Sequence, residues 1–155
     1  AAVTLPADAT CDVCGMVVGQ HPGPTAEIFY ADQRPGGHDN PARFDSTWEA
    51  YQYDFERENR DWERTAFYVT DYSNVEYTIS EDGGDELVST HPQKGAFAPA
   101  EEVTYVVGSE VLGAMGKDLV AFTVAEDAES FRSERGGDLA THDEVTPEVI
   151  AGLGR

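Results

Sequence analysis

Apolar residues along this chain come in short runs separated by glycine- and proline-containing turns, with two stretches of helical spacing between them. Residues 26–31 (Ala-Glu-Ile-Phe-Tyr-Ala) and 65–70 (Thr-Ala-Phe-Tyr-Val-Thr) have the β-branched and aromatic content of strands. The run Met16-Val17-Val18 lies before the turn His21-Pro22-Gly23-Pro24, so residues 11–20 and 26–31 are expected to pair as a hairpin. Residues 32–41 hold Pro35, Gly36, Gly37 and Pro41 and read as a polar loop. A helix is then marked by the capping box Ser46-x-x-Glu49, and Trp48, Tyr51 and Phe55 follow at i, i+3 and i+7 on one face.

The pattern then repeats. Residues 75–79 and 102–108 read as strands with an acidic loop at 81–92 between them, and a Gly/Met loop at 111–118 leads to a strand at 119–124. Residues 126–135 form the second helix, with Ala128, Phe131 and Arg135 in step and Gly136-Gly137 to close it. Phe44 leads into the first helix as Phe122 leads into the second; Ala50 and Ala128 lie six residues beyond, and Tyr53 and Phe131 nine. The expected fold class is α+β, with helices packed on small mixed or antiparallel sheets. Two similar ββαβ halves are expected, at residues 1–70 and 71–155, the second with an acidic C-terminal segment.

Charge narrows the possible partners. The chain has 155 residues, 10 Lys+Arg against 30 Asp+Glu, and a formal charge of −20. Nucleic-acid binding needs a basic stripe, and none is visible; an anionic membrane surface is disfavoured for the same reason. The acids are spread along the chain rather than gathered in a tail, and Lys94 and Lys117 are its only lysines. Such an evenly acidic, lysine-poor surface resembles that of salt-adapted, haloarchaeal-like proteins. Most carboxylates therefore read as solvation. No apolar run is long enough to insert in a membrane. The chain starts at Ala1 without an initiator Met, which reads as a processed chain whose anchor or export signal lies outside it.

Sulfur carries the sharper signal. Cys11-Asp12-Val13-Cys14-Gly15-Met16 holds both cysteines and one of the two methionines. Thiolate and thioether donors together select Cu(I) among biological metals. Cys14 and Met16 are two apart, so an extended segment points both to one face, and Gly15 between them lets an ion or partner approach the backbone. Met115, flanked by glycine in the 111–118 loop, is a second thioether candidate, with a Met tucked onto a sheet as the plain alternative. His21 follows the motif closely, as a possible further ligand or as a turn residue between sulfur and prolines. His38, His91 and His142 have no partner at ligand spacing, which disfavours a structural zinc site. A thioredoxin-like pair expects its Cys-x-x-Cys to open a helix after a strand, and this one precedes a β-like run and a turn. Buried or disulfide-linked cysteines beside a core Met remain the bland alternative.

Taken in order, these landmarks resemble a known family. The Cys11-x-x-Cys14-Gly15-Met16 opening, the Ala26-Glu27-Ile28-Phe29 strand and the Phe44-Asp45-Ser46 helix start are similar to NosL-type accessory proteins. So are Tyr68-Val69-Thr70-Asp71-Tyr72 and the Ala114-Met115-Gly116 loop leading to Ala121-Phe122. The resemblance implies a copper chaperone without catalytic activity, extracytoplasmic and membrane-anchored through an N-terminal lipid or signal segment. It implies delivery of Cu(I) to the nitrous-oxide reductase apo-protein and its ABC-type maturation complex during denitrification. It also implies two ββαβ halves, related in fold to organomercurial lyase. Carried over to this sequence, the metal ligands are Cys14, Met16 and Met115, with Cys11 matching a cysteine that only some members have. Two other readings stay open on the residues themselves. One is a thiol-dependent enzyme, organomercurial-lyase-like or a thiol reductase; the other is a non-metal interaction module with a Cys11–Cys14 disulfide.

Overall fold

The computed structural model describes residues 2–153. Three strands and a helix make the first unit: β1 (Ala26–Tyr30), β2 (Ala42–Phe44), α1 (Thr47–Glu58) and β3 (Arg64–Thr70). β1 is central and pairs antiparallel with β2 and β3. The strand preceding β1 in the expected hairpin does not form. Residues 11–15 are a tight turn, closed by an isolated Thr10–Val17 bridge and followed by a 3-10 turn at Val18–Gln20. The place beside β1 is taken by β2, which comes from the end of the polar loop. Pro41 and the short alternation Ala42-Arg43-Phe44 hid that strand among loop residues, although both apolar positions are fully buried.

The second unit has the same topology. β7 (Thr104–Val107) is central, flanked antiparallel by β9 (Leu119–Phe122) and β10 (Asp138–Thr141), with α2 (Ala125–Arg135) between the last two in sequence. Each helix thus leaves an edge strand whose last residue is a buried Phe. Phe44 packs on Tyr53 of α1 with ring centroids 5.1 Å apart, and Phe122 packs on Phe131 of α2 at 5.4 Å. Ala50 and Ala128, at the matching helix positions, are both fully buried, since only a small side chain lets helix and sheet approach there. These pairings make the two-halves reading physical.

Between the units the chain does more than connect. β4 (Ile79–Asp82) and β5 (Asp85–Val88) form a hairpin, and β5 runs parallel to β8 (Val111–Leu112) in a third small sheet. The strand expected at 75–79 therefore starts at its end, and the acidic loop expected at 81–92 contains this hairpin. β6 (Phe97–Pro99) returns to the first sheet, beside β3, giving the order β2-β1-β3-β6. A last short helix, α3 (Pro147–Ala151), packs against α1.

One core joins the units. Tyr51 of α1 and Tyr105 of β7 are fully buried, with their hydroxyls 2.7 Å apart, and Tyr51 Oη also meets His142 Nδ1 at 2.7 Å. Trp48 donates its indole N–H to the Ile150 carbonyl at 2.7 Å. The N-termini of α1 and α2 are each held by an acid from elsewhere in the chain. Asp118 accepts from the Ser46 hydroxyl at 2.5 Å and from the Trp48 amide at 2.7 Å. Asp71 accepts from the Thr123 amide at 3.0 Å and its hydroxyl at 2.7 Å. Both carboxyls accept bonds where a helix start leaves donors unpaired; burial nonetheless pushes Asp118 up to about 7, with the Ser46, Leu119 and Trp48 donors opposing that rise.

Candidate metal centre

The short turn carrying both cysteines folds onto the N-terminus of α1. Cys11 donates its amide to the Met16 carbonyl at 2.8 Å, and Gly15 donates to the Cys11 carbonyl at 2.9 Å, so the six residues close into a loop. Gly15 takes φ +78°, a conformation that a side chain disfavours. The extended arrangement expected for Cys14 and Met16 is thus replaced by a turn. The turn brings two thiols to one side. Cys11 is buried and Cys14 half-buried, and both are free thiols.

Opposite them stand two carboxylates. Cys11 Sγ lies 3.7 Å from Glu49 Oε1, and Cys14 Sγ lies 3.3 Å from Asp45 Oδ2. One ligand atom from each of Cys11, Cys14, Asp45 and Glu49 fits within 4.8 Å of all the others. Asp45 follows β2 directly, and Glu49 is on the first turn of α1. The Ser46 hydroxyl accepts from the Glu49 amide at 3.2 Å, which is half of the expected capping box. The Glu49 carboxylate, instead of reaching back to cap the helix, turns inward to the sulfur.

This cluster is electrostatically incomplete. Asp45 and Glu49 are essentially inaccessible to solvent, and among the described residues no Lys, Arg or His forms an ion pair with either. Burial, reinforced by the Asp45 carboxyl, pushes Glu49 up to about 8. Burial also pushes the Cys14 thiol up to about 11, against the opposing pull of the Met16 amide, and raises Cys11 further. Asp45 Oδ1 is buried without a hydrogen-bond partner. A buried carboxyl oxygen without a partner is costly, and a bound cation removes that cost. Two soft sulfur donors, two acidic oxygens and an orphaned carboxylate oxygen fit a metal ion, and the sulfur favours a soft one.

The remaining expected ligands are placed as follows. Met16 ends the cysteine loop and is half-buried. Met115 is half-buried between Gly113 and Gly116, whose backbones bridge each other. That hairpin tip docks on the turn after the cysteine loop: Ala114 donates its amide to the Gly23 carbonyl at 3.0 Å. A Cβ at Gly113 would lie 2.4 Å from the Gly23 oxygen and 3.0 Å from Asp118 Oδ2, so only glycine permits this approach. The Met115 loop therefore shares, through Asp118, the same helix N-terminus that carries Asp45 and Ser46. His21 follows the Val18–Gln20 turn, half-buried, and is not a member of the Cys11–Cys14–Asp45–Glu49 cluster. A cavity of about 740 Å³ is lined by Lys117, Leu139, Val149 and neighbours and by none of these four residues. An ion held by side chains needs no such cavity.

An α+β scaffold presenting thiols and carboxylates at the start of a helix defines a metal-binding protein of the soft-ion class. Comparison with known proteins gives the particular family. The sequence model of NosL matches residues 2–150, and the chain belongs to that family. It is 29 % identical over 140 residues to the copper-binding lipoprotein NosL of Stutzerimonas stutzeri, covering 90 % of this chain. The chain spans 63 % of the length of that relative. Its fold is similar to the crystal structure of the copper chaperone NosL from Shewanella denitrificans, with TM-score 0.75 and 26 % identity. That match covers 96 % of this chain and 97 % of the other.

Proposed function

We propose that this chain is a Cu(I) metallochaperone that supplies copper for assembly of the copper centres of nitrous-oxide reductase. The observation that carries the reading is the buried cluster of four acidic groups within 4.8 Å, two of them thiols, around an orphaned carboxylate oxygen. Cys14 is the principal ligand, because its sulfur is both in the cluster and partly open to solvent, where an acceptor can reach the ion. Met16 and Met115 supply thioethers, Cys11 is a second thiol at the buried side, and His21 is a further candidate. Ligand exchange with a partner, rather than turnover of a substrate, is the work of such a site. The protein acts on no substrate of its own.

The partners are the apo-reductase and its ABC-type maturation complex. The relatives' names support copper delivery, and "lipoprotein" in one of them supports an extracytoplasmic chain tethered by an N-terminal lipid. No helix among the described residues is long and apolar enough to cross a membrane. The chain divides at 70/71 into two units descended from one ββαβ precursor, of which the first keeps the cysteine-containing metal motif and the second contributes Met115.

Titration of Cu(I) against a chromophoric chelator tests the assignment. Cys14→Ser is expected to lose affinity most, with smaller losses in Met16→Ala and Met115→Ala. Unchanged affinity in Cys14→Ser overturns the site. Transfer of the ion from the loaded chain to apo-reductase, faster than from free Cu(I) complexes, is the corresponding test of the partner.

A further inference from the structure

Asp12 lies between the two cysteines, and its surroundings are more organised than those of an ordinary loop acid. Its amide donates to the Arg43 carbonyl at 2.9 Å, and its Oδ2 accepts from the Arg43 amide at 2.9 Å. β2 is an edge strand, so Asp12 satisfies both outward-facing groups of that edge at one residue. Arg43 Nε adds a bond to the Thr10 carbonyl at 2.9 Å. Two residues further along, Asp45 meets Cys14. The register in which Asp12 docks on Arg43 therefore sets how the cysteines meet the carboxylates.

That docking is locked from outside by His38, from the loop before β2. His38 Nε2 lies 2.8 Å from Asp12 Oδ1 and 3.0 Å from Oδ2, while Nδ1 lies 2.7 Å from the Asp39 carbonyl oxygen. Both partners are acceptors only, so a neutral ring satisfies one and leaves a lone pair facing the other; the doubly protonated ring donates to both. The Asp12 side chain is 7 % exposed and that of His38 25 %, so the pair is largely shielded while the ring still exchanges protons with solvent.

We infer that His38 is a positioning residue for copper: its ring holds Asp12 and with it the Cys11–Met16 loop, and loss of that contact loosens the loop and speeds release of the ion. The inference rests on the copper-chaperone reading. The charged and titratable groups around the pair are Asp39, ion-paired to Arg34 at 3.3 Å, and Arg43 on β2. From α1 comes Tyr53, close enough to feel the Asp12 charge, with Arg57 stacked 4.0 Å above its ring.

The test is stopped-flow transfer of Cu(I) from the loaded chain to a chromophoric chelator, for wild type, His38→Gln and His38→Arg, with circular dichroism as a check on folding. His38→Gln is expected to release the ion about three- to tenfold faster than wild type. His38→Arg, which restores donors toward Asp12, is expected to keep release slow. Unchanged release in His38→Gln, or an Arg variant that behaves as Gln, overturns the role of His38. A wild-type chain that takes up no Cu(I) overturns the function itself, and this inference with it.

Discussion

The N-termini of α1 and α2 are built on the same plan and hold opposite chemistry. Before α1 the chain reads Phe44-Asp45-Ser46, with Glu49 one turn in; before α2 it reads Phe122-Thr123-Val124, with Asp127 at the matching place. Both phenylalanines pack on an aromatic residue of the helix that follows, and both helix starts receive an acid from elsewhere in the chain. At α1, however, the two local acids are buried and face thiols. At α2, Thr123 spends its hydroxyl on Asp71, and Asp127 is exposed. The repeated topology supplies a helix N-terminus that favours anions twice over. Only where the cysteine turn covers it do thiols join the acids to form the candidate metal site. Scaffold and chemistry are thus separable.

The largest expected effect follows from the sulfur. Cys14→Ser is expected to lower Cu(I) affinity by about a hundredfold or more, since a hydroxyl replaces the soft donor. The competition titration reads this directly, and a loss below about threefold would place the ion elsewhere.

A second contrast is between two buried carboxylates that each leave an oxygen unpartnered, Asp45 and Glu27. Glu27 sits in the middle of β1, accepts from the Val3 amide at 2.8 Å and has no thiol beside it in the metal cluster. Burial raises its pKa from 4.5 to about 7, only partly offset by that amide. The folded chain therefore holds this proton more tightly than the unfolded chain does. Its contribution to stability is full below about pH 4.5 and is lost as pH rises through about 7. Glu27→Gln is expected to match wild type near about pH 4.5 and to exceed it by about 2 kcal/mol at about pH 8 in urea denaturation, with copper affinity unchanged.

Asp45→Asn sharpens the same contrast from the other side. It removes a carboxylate from the candidate cluster, and Cu(I) affinity is expected to fall about tenfold. An equal loss of affinity in Glu27→Gln would show that the effect is general charge rather than a site.

Much of this was legible in the sequence, for identifiable reasons. α1 carries a strong start signal at Ser46, α2 a strong stop at Gly136-Gly137, and β3, β7 and β9 are runs of β-branched and aromatic side chains; these elements fall where the pattern places them. β2 and the β4–β5 hairpin were not legible. β2 is three residues after a polar loop, and the hairpin is built largely from acids and Gly83-Gly84, so neither shows a hydrophobic period. The cysteine turn was visible because both thiols are close together in sequence. Asp45 and Glu49 were hidden for two reasons. Thirty acids make any one of them look like solvation, and the spacing from Ser46 gave Glu49 a sufficient role as a helix cap. The signal that marks them is burial of an acid directly after a buried Phe, where the repeat carries Thr123 instead.

The smallest effect is expected at the start of α2. Thr123→Val removes the hydroxyl that donates to Asp71, and thermal or urea unfolding is expected to show a loss of about 1 kcal/mol. Copper affinity stays within about twofold of wild type. A larger change in affinity would mean that the two helix N-termini act as one site, contrary to the separate roles assigned to them.

X-ray absorption at the copper edge on the Cu(I)-loaded chain and on Cys14→Ser tests the central claim most directly. Sulfur is expected as the dominant nearest scatterer in wild type, with the sulfur contribution reduced in the variant. Copper surrounded by nitrogen and oxygen alone, or a spectrum unchanged by Cys14→Ser, would contradict it.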